Sequence, residues 1–93
     1  MVLMYAVHYP QPDKEPLLIQ QMQRFGELIQ AQPGIVFVNP TPFKDPAQGT
    51  LIALAIWESQ AAFEAAWPNV VHVVPTEEWE VKPREVHLFT SAG

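Results

Sequence analysis

The run 51-LIALAIW-57 decides how this chain folds. Its odd positions (Leu51, Ala53, Ala55, Trp57) and its even positions (Ile52, Leu54, Ile56) are all apolar, so a strand here must be covered on both faces. The strand extends over Thr50–Glu58. Ser59, immediately after it, is a good N-cap for a short helix Gln60–Trp67, on which Phe63 and Trp67 lie four residues apart and share a face. Pro68 is expected to end or kink that helix.

Working outward, Val2–Tyr9 is rich in β-branched and aromatic residues and is closed by Pro10 and Pro12, which predicts a first strand and a turn. Asp13 can cap a helix whose apolar positions Leu18, Met22, Phe25 and Ile29 recur on one face while the other face is rich in glutamine. Gln32-Pro33-Gly34 stops it, because proline disfavours helical geometry at Gln32 and Gly34 supplies a left-handed exit. A second strand follows at Ile35–Asn39, then a proline-rich loop from Pro40 to Gly49. After Pro68, the stretch 69-NVVHVV-74 suits a strand by composition and a buried helical turn by position, and the helical turn is expected. Thr76–Glu80 with Lys82-Pro83 forms a connection, and Arg84–Ser91 reads as the last strand.

The order strand, helix, strand, strand, helix, strand predicts an α+β, ferredoxin-like βαββαβ fold with one four-stranded antiparallel sheet, in a single domain over residues 1–93. Two helices cover one face of such a sheet. The apolar residues on the other face predict a homodimer, sheet against sheet.

Composition narrows the function. The 93 residues carry 48% hydrophobic and 16% charged side chains and a formal charge of −5, which supports a folded core and gives no electrostatic reason to bind nucleic acid. The five basic residues form no cluster. There is no cysteine, which excludes disulfides, thiolate nucleophiles and zinc-thiolate sites. No apolar run approaches the ~20 residues that span a bilayer, so no membrane association and a soluble, cytoplasmic protein are expected. Gly26, Gly34, Gly49 and Gly93 build no phosphate-binding loop. Without such a loop no nucleotide cofactor is expected, and because the histidines lack ligand spacing no metal is expected either.

Two features resemble the antibiotic biosynthesis monooxygenase-like (ABM) family of the dimeric α+β barrel superfamily. Pro33-Gly34 leading into the second strand resembles the family's helix-to-strand break. Trp57-Glu58-Ser59 followed by Ala62-Phe63 is similar to its W-E-S-x-x-A-F signature. The resemblance runs from Val2 to Phe63 and implies a dimer whose sheets close into a barrel, with a cavity between sheet and helices in each protomer. Some members oxidise phenolic or quinol-like substrates with dioxygen and no metal or flavin, and others degrade haem. Haem-degrading members carry an Asn on the first strand and a Trp and a His on the second helix; Val2–Tyr9 contains no Asn, and the spacing of Trp67 and His72 differs from theirs.

The expected function is therefore a cofactor-independent monooxygenase for a small hydrophobic aromatic substrate, the alternative being a non-catalytic dimeric module for ligand binding or assembly. Isomerase or lyase chemistry would need a base but no oxygen. His72, flanked by Val70, Val71, Val73 and Val74, is the candidate catalytic base, because burial among valines would keep an imidazole neutral; the commoner role for such a residue is a core histidine bonded to a backbone carbonyl. Trp67, Tyr5, Trp79 and Phe63 are candidate substrate-binding aromatics, and plain core positions otherwise. Asn39 is a candidate to orient a ligand, or a turn former beside Pro40. His8 and His87, on strands expected to be neighbours, either approach each other or lie separately at the surface. Glu77, Glu78, Glu80 and Glu85, interleaved with Lys82 and Arg84, read as a solvated face.

Overall fold

The computed structural model describes residues 1–74 and 77–92. In chain order its elements are β1 (Val2–His8), α1 (Glu15–Gln30), β2 (Ile35–Val38), β3 (Phe43–Lys44), β4 (Leu51–Trp57), α2 (Gln60–Val70) and β5 (Glu85–Thr90), with 3-10 turns at Pro12–Lys14, Val71–Val73 and Glu77–Trp79. The architecture is α+β with an open antiparallel sheet in the order β2-β4-β1-β5. β3 adds to the free edge of β4 beyond β2, so the sheet has five strands where four were expected. The extra strand is two residues cut from the proline-rich loop, Phe43 opposite Ile52 and Lys44 opposite Leu51.

β1 and β4 are the inner strands, paired from Val2 opposite Trp57 to His8 opposite Leu51. Directly opposed residues share a face. Val2, Met4, Ala6 and His8 therefore lie with Trp57, Ala55, Ala53 and Leu51 beneath the helices. α1 and α2 complete the core: Ile29, Ala66 and Val70 close over Val2, Met4, Ala55 and Trp57. Leu18 and Met22 close over Leu51 in a second cluster.

Local signals set the ends of the elements. Ser59 Oγ accepts from the Ala62 amide at 3.0 Å, as its position predicted. α1 instead starts at Glu15 with Pro16 in its first turn and no side-chain cap, since Asp13 is taken into the 3-10 turn before it. Pro68 lies inside α2 and does not end it. Its missing N–H falls in the last, exposed turn, where the carbonyl of Glu64 can face water. Beyond it the chain continues as a 3-10 turn, so the helical reading of residues 69–74 holds; Pro75 and Thr76 lie outside the described residues.

Two glycines lie where elements approach each other, and they differ in how much room they leave. Gly34 has φ +85°, and a Cβ there would lie 2.5 Å from the Cβ of Ala62 on α2. Gly26 in α1 is buried, and a Cβ there would meet the Asn39 carbonyl at an ordinary 3.5 Å. Gly34→Ala is thus expected to lose at least about 1–2 kcal/mol from its left-handed backbone alone. Gly26→Ala should gain about 0.5–1 kcal/mol from helix propensity. Urea unfolding of both variants checks this; equal effects at the two sites would contradict the packing described.

Candidate functional site

Small residues sit at the middle of the inner face: Ala6, Ala53 and Ala55 on the strands, Gly26 on α1. They leave a cavity of about 80 Å³ between sheet and helices. Met4, Met22, Phe25, Ile29 and Trp67 complete its apolar wall. Phe25 and Trp67 meet edge to face with ring centroids 6.4 Å apart, an arrangement suited to a flat apolar ligand. Toward β5 the cavity is bordered by Val86, which is 54% exposed because neither helix extends over that strand.

The polar end is built by three residues. His8, at the end of β1, is buried on the cavity wall. Glu80 is buried where a single bridge pairs it with Pro10, after the last 3-10 turn. Its Oε1 accepts from the Tyr9 amide at 2.9 Å and lies 3.4 Å from His8 Nδ1. Its Oε2 lies 2.7 Å from Arg84 Nη2, and Arg84 also lines the cavity. The side chains of Glu80 and Arg84 are 1% and 8% exposed, so this ion pair is shielded from water. Burial holds the His8 imidazole below its ordinary pKa of 6.5; Glu80 raises it and Arg84 lowers it further. Burial outweighs the pull of Glu80, so His8 remains neutral near pH 7.

The sequence-predicted residues divide among three places. Trp67 lines the cavity, and Phe63 stands behind it, between Trp57 at 5.9 Å and Trp67 at 5.7 Å. Asn39 also reaches the wall, but its amide is committed to backbone: Nδ2 donates to the carbonyls of Thr41 and Ile52, and Oδ1 accepts from the Leu54 amide. It thereby replaces ladder bonds where β2 ends. Trp79 packs on Leu18, Met22 and Leu51 and does not line the cavity. Tyr5 lies on the opposite face of the sheet, opposite His87, with ring centroids 6.3 Å apart.

His72 is exposed, in a shallow groove with Arg24, Glu27, Leu28 and Val73. The burial on which its assignment rested is absent, because the 3-10 turn after α2 points it outward while Val70 takes the core position. His8 and His87 do not meet, since they fall on opposite faces of the sheet. Glu80, expected on a solvated acidic face, is instead buried where it bridges to Pro10. The one sequence signal for His8 was its parity with Val2, Met4 and Ala6, which is ambiguous when both parities of the strand are apolar. Among the described residues no three His, Cys, Asp or Glu side chains converge as a metal site would require, and no helix is long and apolar enough to cross a membrane.

This arrangement, an open antiparallel sheet with two helices on one face, is the fold of proteins named antibiotic biosynthesis monooxygenases. Rv0793 from Mycobacterium tuberculosis superposes with a TM-score of 0.85 at 17% identity, over 99% of this chain and 95% of that one. A putative antibiotic biosynthesis monooxygenase from Deinococcus radiodurans gives 0.84 at 13% identity, over 100% and 94%. SnoaB, a cofactor-independent oxygenase from Streptomyces nogalater, gives 0.76 at 16% identity, over 99% and 93%. No protein-family model matches the chain, and no curated protein does.

The His8 environment has a consequence for stability. A histidine whose folded pKa lies below its unfolded one takes up its proton more readily when unfolded, so its contribution is complete above 6.5 and is lost as pH falls below that value. Thermal melts from pH 7.5 to 5.5 are expected to show a falling Tm, and His8→Gln should flatten that slope. An equal slope in the variant would place the titrating group elsewhere.

Proposed function

We propose that this protein is a cofactor-independent monooxygenase acting on a small hydrophobic phenol- or quinol-type substrate held between the sheet and the helices. One observation carries the reading: an apolar cavity with Phe25 and Trp67 as aromatic walls and a polar, proton-accepting end at His8. The neighbours named as monooxygenases, one of them a cofactor-independent oxygenase, support it. The chemistry asks little of the protein. An electron-rich phenol loses a proton, its anion reduces dioxygen, one oxygen atom enters the product, and the other leaves as water with the substrate as sole reductant. The protein holds the ring, accepts the proton and keeps water out. The enclosed volume is smaller than the ~150 Å³ cavity known to hold benzene, so a ring must extend toward the open side at Val86.

The reading includes a homodimer. Leu3, Tyr5, Val7, Ile52, Leu54 and Ile56 occupy the outer face of the sheet, and Phe37, Phe43 and Phe89 are 42%, 59% and 54% exposed. A second copy laid sheet against sheet would bury them. Sedimentation equilibrium is expected to give twice the 10.5 kDa chain mass, and Ile52→Glu a monomer. A monomeric parent protein would remove the dimer from this reading.

Oxygen consumption by metal-stripped protein against a panel of quinols, anthrones and simple phenols tests the activity. Protein-dependent uptake is expected, falling roughly 100-fold in Ala53→Phe, which fills the cavity and displaces the ring. Substrates that stabilise the protein without uptake would make it a binding module instead.

A further inference from the structure

The buried trio at the polar end is more elaborate than a ligand-binding surface requires. Arg84 has a shielded guanidinium whose Nε, among the described residues, lacks a hydrogen-bond partner. Arg84 lines the cavity, and a buried, unpaired cationic donor beside it costs stability unless an acceptor reaches it. Glu80 Oε1 lies 3.4 Å from His8 Nδ1 without the geometry of a hydrogen bond, and a carboxylate on that side electrostatically favours the tautomer with its proton on Nδ1 and its lone pair on Nε2. Asn39, the other polar residue on the wall, has its amide engaged by backbone. Among the described residues the helices contribute Met22, Phe25, Gly26, Ile29 and Trp67, and no charged group opposes the trio across the cavity.

We infer that this end of the cavity is an ionising site for an acidic hydroxyl group, in which His8 Nε2 accepts the proton, Arg84 holds the oxyanion and Glu80 positions His8. The inference rests on the cavity being the substrate site and adds which atoms receive the charge. In the step the O–H bond breaks, its electron pair stays on oxygen, and the proton forms the Nε2–H bond. The imidazolium then lies between two anions, Glu80 and the new oxyanion, and the oxyanion faces Arg84. That arrangement offsets the burial that keeps His8 neutral in the empty site. The ligand class follows: a flat apolar ring bearing a phenolic or enolic hydroxyl at one end. His8 is the catalytic residue in this step, and Glu80 is a positioning residue.

The test uses 4-nitrophenol, whose anion absorbs in the visible, with binding followed separately by tryptophan fluorescence. Bound to the native protein, the probe should ionise about one pH unit below the free probe, a tenfold change in its ionisation constant. His8→Gln should bind the probe and abolish the shift, with native circular dichroism showing that it folds. Glu80→Gln should reduce the shift by less. Arg84→Lys, which keeps a cation beside Glu80 but removes Nε, should weaken binding of the anion more than that of the neutral phenol. A shift that survives in His8→Gln, or a probe bound by the native protein with no shift, overturns the inference. Absence of oxygen uptake with the shift intact rejects the oxygenase reading and leaves this site standing; uptake with no shift does the reverse.

Discussion

Small side chains at the centre of the inner sheet face are the constraint from which the rest follows. Protein interiors normally pack to the density of organic crystals, and here Ala6, Ala53, Ala55 and Gly26 meet where larger residues would fill the space. The helices cannot collapse onto the alanines, because larger neighbours hold the layers apart on either side. Trp57, Ile29 and Val70 do so at one end, and Leu18 and Leu51 at the other. The cavity is the gap between those two clusters.

The polar end exists because three separate segments converge where the helices stop. β1 delivers His8 at its last residue, the bridge between Pro10 and Glu80 brings in the carboxylate, and the approach to β5 adds Arg84. A carboxylate this deeply buried without a cation would be costly, as would a lone buried guanidinium, so the two depend on each other. His8 needs neither for charge balance and stays neutral beside them. Placing an apolar ring site next to such a group couples the fold to proton chemistry.

Much of this was legible in the chain itself. The double apolar parity of Leu51–Trp57, the Ser59 cap and the Gly34 exit each report a local requirement, and each recurs in the structure. The site was legible only in part. Trp67 could be found because a helix period places it on the inner face with Phe63. The reasoning that a buried histidine is a neutral base was sound chemistry applied to His72, whose valine neighbours suggested burial that a 3-10 turn does not provide. The histidine that meets the condition is His8, whose strand gives no hint of which face is inward.

The sequence by itself determined the order of the six main elements, though not the short strand Phe43–Lys44, together with the fold class and the apolar character of both sheet faces, because periodicity, caps and turn residues act over a few neighbouring positions. Only the tertiary structure decided which face of β1 lies under the helices and that Glu80 and Arg84 are buried beside His8. Residues 8, 80 and 84 meet through strand pairing and a single bridge across more than seventy residues, and such long-range contacts depend on how the whole chain packs.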